Sequence, residues 1–219
     1  MKHLLLLSII SVFLMSCYND DVYFPDGNNN HNNRIDPYAE DTTFTDTISP
    51  IYPVRTGWIK TNFSEDWDDW DMEINDSTSG YIRTNFSEDW DSWIFNVADI
   101  SGTIKTNFSE DWDTWSLVCD GYNISIETNF SDDWDSWIIS DNNSGMKLTA
   151  RTNFSDDYDN WNIYNDSINI NVKTYMSEDW DYWEIFSDSL NIPTAYFVAA
   201  SFIPIFTSSI NMQGVVNED

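Results

Sequence analysis

Six pairs of aspartates, each pair bracketing one aromatic residue, are the groups in this 219-residue chain best suited to chemistry. They are Asp66 and Asp68, Asp89 and Asp91, Asp111 and Asp113, Asp133 and Asp135, Asp157 and Asp159, and Asp179 and Asp181. A hard cation such as calcium takes six to eight oxygen ligands, and carboxylates two residues apart are common in its loops. With the acid that precedes each pair (Glu65 in the first) and the hydroxyl of Ser64 or its counterpart, each place offers three carboxylates and one hydroxyl. Against that, no glycine supplies the sharp turn of a calcium loop, and no glutamate follows at bidentate spacing. The competing role is structural: the aspartates cap a turn and pair with Lys60, Arg83, Lys105, Arg151 and Lys173. Calcium is the one cofactor the sequence suggests, and none is otherwise expected.

The bracketed aromatics are Trp67, Trp90, Trp112, Trp134 and Trp180, with Tyr158 in the fifth place. Each is followed three residues later by a second tryptophan, from Trp70 to Trp183. Side chains three apart on one strand point to opposite faces, so both cannot enter one core without a bulge. One of each pair is therefore expected at the surface or under the next unit. There it could form a stacking ladder for sugar rings; aromatic residues at repeat positions equally serve as core.

Catalysis finds no foothold. The two histidines, His3 and His31, lie in the N-terminal region, away from the repeated acids. No nucleophile–base pair, histidine metal site or phosphate-cradling glycine loop can be assembled. Paired carboxylates serve glycosidases, but an active site is single and these acids recur six times. No enzyme activity is expected.

The elements that must position these residues follow from the repetition. Near-copies of Thr-Asn-Phe-Ser-acid-Asp-Trp-Asp-x-Trp begin at Thr61, Thr84, Thr106, Thr128, Thr152 and Thr174, with spacings of 22 to 24 residues. A period in that range marks a repeat architecture in which each unit buries its face against its neighbours. Tyr81 to Phe86 alternates as a strand, with Ile82, Thr84 and Phe86 on one side. Ser87-Glu88-Asp89 is turn-prone, and the chain returns through Trp90 to Val97. A tight turn with Glu88 and Asp89 at its tip pairs Thr84 with Trp93 and Ile82 with Phe95. The predicted fold is all-β. Six two-stranded hairpin repeats of about 22 residues form a solenoid-like or a closed sheet, the closed form with or without a knot. Length changes fall in connectors such as Asn75 to Gly80 and Asp141 to Gly145. Ile192 to Phe206 carries no charge and reads as a short C-terminal capping helix over the last repeat, with Pro193 in its first turn and Pro204 ending or kinking it.

The formal net charge is −29. Such a field repels nucleic acid, and it favours basic protein surfaces as partners. Residues 18 to about 56, rich in asparagine around Gly27 to Asn33, read as a tether without regular structure.

At the N-terminus, Lys2 precedes an apolar run from Leu4 to Leu14, and Leu14-Met15-Ser16-Cys17 follows. This resembles a bacterial lipobox. The resemblance implies cleavage before Cys17, lipidation of that cysteine and a membrane anchor without a spanning helix. The next residues, Tyr18-Asn19-Asp20-Asp21, resemble the export signal that sends Bacteroidota lipoproteins to the outer face of the outer membrane. With Cys17 lipidated, Cys119 has no disulfide partner in the chain. Residues 58 to 186, with a cation, a Thr-Asn-Phe or Thr-Tyr-Met step and then Ser-acid-Asp, resemble the repeat of septoil-knot proteins. In that family β-hairpins wind into a closed, knotted sheet.

The sequence thus predicts a signal peptide over 1–16, a lipidated N-terminus and tether over 17–56, a repeat domain over 57–187, and a cap and tail over 188–219. The predicted role is that of a cell-surface lipoprotein acting as a structural or adhesive module. A glycan- or calcium-binding module using the repeated tryptophans and aspartates is the alternative.

Overall fold

The computed structural model describes residues 54–211 and 214, other than 65, 76, 132, 156, 178 and 190. The predicted signal peptide, Cys17 and nearly all of the tether lie outside the described residues. Strand structure begins at Val54, inside the segment read as tether.

Alternation of Ile, Val and Trp with small polar residues yields twelve strands. They are β1 (Val54–Thr61), β2 (Asp69–Ile74), β3 (Thr78–Thr84), β4 (Ser92–Val97), β5 (Ile100–Thr106), β6 (Thr114–Cys119), β7 (Tyr122–Thr128), β8 (Ser136–Asp141), β9 (Lys147–Thr152), β10 (Asn160–Tyr164), β11 (Asn169–Thr174) and β12 (Tyr182–Ser187). Each pairs antiparallel with its sequence neighbour, and β1 pairs with β12, so the sheet is a closed barrel. Between a solenoid and a closed sheet, the structure is the closed one. Thr84 lies opposite Trp93 and Ile82 opposite Phe95, the register that the spacing predicts. Closure removes both sheet edges, including the one a solenoid would leave open.

Inward positions are apolar. Six tryptophans, Trp70, Trp93, Trp115, Trp137, Trp161 and Trp183, form a fully buried belt, with Ile59, Ile82, Ile104, Ile126 and Val172 beside them. Outward positions on β5 to β7 read Ser101, Thr103, Lys105, Ser116, Val118, Asn123, Ser125 and Glu127. A membrane-spanning barrel has the reverse pattern, apolar outside and polar within. Among the described residues, no helix is long and apolar enough to cross a membrane.

An eight-stranded barrel is filled by its own side chains, whereas twelve strands enclose more space. The C-terminal segment fills it. The helix α1 (Thr194–Pro204) continues into a π-helical stretch, Ile205–Asn211, and the side chains from Ala195 to Ile210 are buried. Helix α1 touches β4, β7, β8 and β11, strands from different sides of the wall. Phe202 meets Trp93 and Trp115 edge-on at 5.6 and 4.8 Å, and Phe206 meets Trp115 at 4.6 Å. The expectation of a helix laid over the last repeat is therefore corrected: the helix runs through the lumen. An uncharged segment gains more from burial on all sides than from covering one end. Pro193 stands just before the helix, and Pro204 is where α-helical geometry gives way to the wider π form.

Candidate functional site: the loop rim

Six loops, 62–68, 85–91, 107–113, 129–135, 153–159 and 175–181, join β1 to β2, β3 to β4 and so on, all at one pole of the barrel. They carry every aspartate and first tryptophan singled out above. The β3–β4 loop shows the local rule. Strand pairing stops at Thr84, the Asp89 amide donates to the Phe86 carbonyl at 2.9 Å, and the Ser92 amide donates to that of Asp89 at 3.2 Å. Glu88 takes a positive φ of 62°. The connection is thus two successive turns, longer than the tight tip expected, though the strand register is unchanged.

The second aspartate of each pair belongs to the next loop as much as to its own. Ser64 Oγ donates to Asp181 Oδ2 at 2.9 Å, Ser87 to Asp68 at 3.0 Å and Ser109 to Asp91 at 2.7 Å. Ser131 donates to Asp113 at 3.0 Å, Ser155 to Asp135 at 3.0 Å and Ser177 to Asp159 at 2.8 Å. The main chain repeats the link: the Thr84 amide donates to the Asp68 carbonyl at 2.9 Å, and Thr61, Thr106, Thr128, Thr152 and Thr174 do likewise. A ring of hydrogen bonds therefore runs around the rim and closes across the chain ends. Three of the cations expected to pair with these aspartates stack on aromatic rings. Lys60 sits over the Trp58 ring at 4.8 Å, Arg83 over Tyr81 at 4.3 Å and Lys173 over Phe186 at 4.7 Å. Stacking keeps both partners on the strand surface, while the serine is already in place at the carboxylate.

The first aspartates, Asp66, Asp89, Asp111, Asp133, Asp157 and Asp179, donate their amides back to the residue at the phenylalanine position, at 2.9 to 3.1 Å. Asp66 differs electrostatically. It shares a hydrogen bond with Asp68, it is partly desolvated, and the charges of Asp68 and Asp69 face it, so its carboxyl titrates near pH 6. The shared proton holds Asp68 below the ordinary range in turn, against its own desolvation and with help from Ser87. Only the first loop has an aspartate, Asp69, before its second tryptophan. Among the described residues, no three His, Cys, Asp or Glu side chains converge as a metal would require.

Trp67, Trp90, Trp112, Trp134 and Trp180 lie in the turns, half-buried over the lumen mouth. The parity conflict is thereby resolved without a bulge. Four of the first rings tilt against the second at 5.6 to 6.1 Å, as in Trp67–Trp70 and Trp134–Trp137, whereas Trp112 meets Phe206 at 5.8 Å. Each second indole donates to the first residue's carbonyl, at 2.7 Å from Trp70 to Trp67. Trp112 also donates its indole N–H to Asp91 Oδ1 at 3.0 Å.

What alternation misplaces is the phenylalanine. Strict alternation puts Phe86 on the same side of the strand as Ile82 and Thr84, both of which are buried. Phe86 stands 71% exposed, with Phe63 at 70%, Phe108 at 72%, Phe130 at 68%, Phe154 at 70% and Met176 at 65%. The strand ends two residues earlier, and the turn swings this side chain outward. The signal was present in the sequence, since the phenylalanine directly precedes the turn-prone Ser-acid-Asp. Six apolar side chains thus crown the rim between carboxylates. Comparison of the chain with protein-family models, curated proteins and solved structures finds no match.

Proposed function

We propose that this protein is a non-enzymatic adhesive module, six copies of one hairpin closed into a ring, held at a bacterial surface through a lipid on Cys17. The observation that carries the reading is the crown of Phe63, Phe86, Phe108, Phe130, Phe154 and Met176, all at least 65% exposed on one rim. Isolated exposed apolar residues need no explanation, but an ordered ring of them marks a contact surface. The loops beneath are tied to one another, so the crown is preorganised and loses little entropy on binding. Six equivalent contacts give avidity without any single strong site. Because the ring is interleaved with carboxylates on a chain of net charge −29, the partner is a basic protein surface with apolar patches. The polar outer wall supports a barrel anchored to the membrane through lipid, not set within it. β1 begins at the pole opposite the crown.

The test is retention of the full chain on immobilised lysozyme, as a basic protein, and on serum albumin, as an acidic one. The chain is compared with a variant carrying Phe63→Ser, Phe108→Ser and Phe154→Ser. The expected result is retention on lysozyme that falls at least tenfold in the variant. Equal retention of both proteins would reduce the effect to bulk charge and sink the proposal.

A further inference from the structure

One of the six inter-loop grooves departs from the repeat, and it lies where β12 meets β1. The outward residue just before the buried tryptophan is Asp69, Ser92, Thr114, Ser136 or Asn160 in five places, and Tyr182 in the sixth. Two residues before the strand cation, or the glutamate that replaces it on β7, stand Tyr81, Thr103, Ser125, Thr149 and Asn171; at the seam it is Trp58. Five loops reach the same turn and register without this aromatic pair, so the fold does not demand it. The consequence is a larger groove. Trp58, Lys60, Thr61, Ser64, Asp181 and Tyr182 line about 520 Å³, against about 280 Å³ beside Asp135, Arg151 and Ser155 in the groove between β8 and β9. The larger volume falls within the range of small-molecule sites.

The polar groups of the groove are held in place. Ser64 and Thr61 donate to the two oxygens of Asp181 at 2.9 and 3.2 Å, which turns the lone pairs of both hydroxyls toward an incoming donor. Arg55 donates to the Tyr182 hydroxyl at 2.8 Å and is itself pinned by Glu184 at 3.2 Å. Lys60 holds its ammonium over the Trp58 ring, 4.8 Å from the centroid, so a ligand ring that stacks on that face takes the place of the ammonium. Two aromatic rings set among fixed hydroxyls and one cation suit a ligand with an apolar face and a hydroxylated edge. A pyranose ring has that shape.

We infer that the Trp58–Tyr182 groove is a saccharide subsite, in which a pyranose ring stacks on Trp58 and its oxygen substituents meet Lys60 and the Tyr182 hydroxyl. The subsite is independent of the crown above it, since none of the six crown residues lines the groove. The rival explanation is mechanical. β1 and β12 are joined by no short loop, and the aromatic pair with Arg55 and Glu184 would then be a latch for the seam.

Saturation-transfer NMR on the full chain separates the two. The probes are cellohexaose and mannohexaose as neutral chains and hexagalacturonate as an acidic one, each at millimolar concentration. Transfer to at least one probe is expected. It should weaken at least tenfold in apparent affinity in Trp58→Ala and in Tyr182→Ser, the latter returning the groove to the polar pattern of the other five. Lys60→Ala should weaken hexagalacturonate more than the neutral chains if a carboxylate is the group recognised, and all three equally if a hydroxyl is. Absence of transfer to all three probes overturns the proposal. So does undiminished transfer in both aromatic variants, with a lowered melting temperature then assigning the pair to the seam.

Discussion

Ser64 and Asp181 lie 117 positions apart in sequence, yet the serine hydroxyl donates to the Asp181 carboxylate at 2.9 Å. The same bond joins each of the other five neighbouring loops, but there a short connection at the opposite pole already holds the two strands together. Among the described residues, the seam is joined by the non-covalent pairing of β1 with β12 and by no short connection.

Removing the hydroxyl should therefore cost more at the seam than elsewhere. A hydrogen bond to a charged acceptor contributes on the order of 1.5 kcal/mol, less when exposed. Ser64→Ala is expected to destabilise by about 1 kcal/mol and Ser109→Ala by roughly half of that. Amide exchange should quicken selectively in β1 and β12 for the first variant. Equal losses, with no local change in exchange, would show that the seam is no weaker than the other joints.

The Asp66–Asp68 pair makes stability depend on pH in two opposite senses. Asp66 has a raised folded-state value near 6, so its contribution is complete below its unfolded value and is lost as pH climbs through 6. Asp68 is depressed, so its contribution is present above the unfolded value and disappears as acid protonates it and weakens the Ser87 bond. The melting temperature should rise as pH falls from 7.5 to about 5 and decline again below about 4. After solvent screening the neutral-side effect should stay under about 1 kcal/mol. Asp66→Asn should abolish the rise between pH 7.5 and 5 while keeping the decline in acid. Persistence of that rise in the variant would assign it to other groups.

Much of this architecture was legible in the sequence because strand periodicity is strict. A slip of one residue would turn Trp93 and Phe95 outward, so the alternation fixed the pairing of Thr84 with Trp93. Closure was not legible. It rests on Trp58 and Ile59 meeting Glu184 and Trp183, a pairing that no local period encodes. Nor could the uncharged stretch around Phe202 declare which surface would bury it. The outward turn of Phe86 was missed for a different reason: alternation was carried past the last paired residue into a turn, where parity has no meaning.

The two populations of phenylalanine should respond oppositely to truncation. Phe202 is 1% exposed and wedged among Trp93, Trp115 and Phe206 inside the barrel. Phe202→Ala should cost about 3–5 kcal/mol, from lost burial plus the cavity left in a wall that cannot collapse inward. Phe63→Ser, at the crown, should change stability by less than about 0.5 kcal/mol. Denaturant melts of the two variants decide the matter, and a costly Phe63→Ser would mean that the crown packs on something within the protein.

Two hydroxyls inside the lumen are stabilising targets. Ser201 and Thr207 are fully buried, and among the described residues neither side-chain oxygen has a hydrogen-bond partner. Their neighbours Ser208 and Ser209 show the alternative, since each accepts from a belt indole, Trp161 at 3.0 Å and Trp183 at 3.3 Å, and donates to a rim-loop carbonyl. A buried hydroxyl without a partner carries a desolvation cost of about 1–3 kcal/mol. Ser201→Ala removes that oxygen, and Thr207→Val replaces it with a methyl of nearly the same shape. Each should raise stability by roughly 1 kcal/mol, whereas Ser208→Ala should lower it by taking one of two donors from the Tyr158 carbonyl and one of two acceptors from the Trp161 indole. If Ser201→Ala and Thr207→Val instead destabilise, both hydroxyls must be bound to water held within the barrel, and the lumen is wetter than its apolar lining implies.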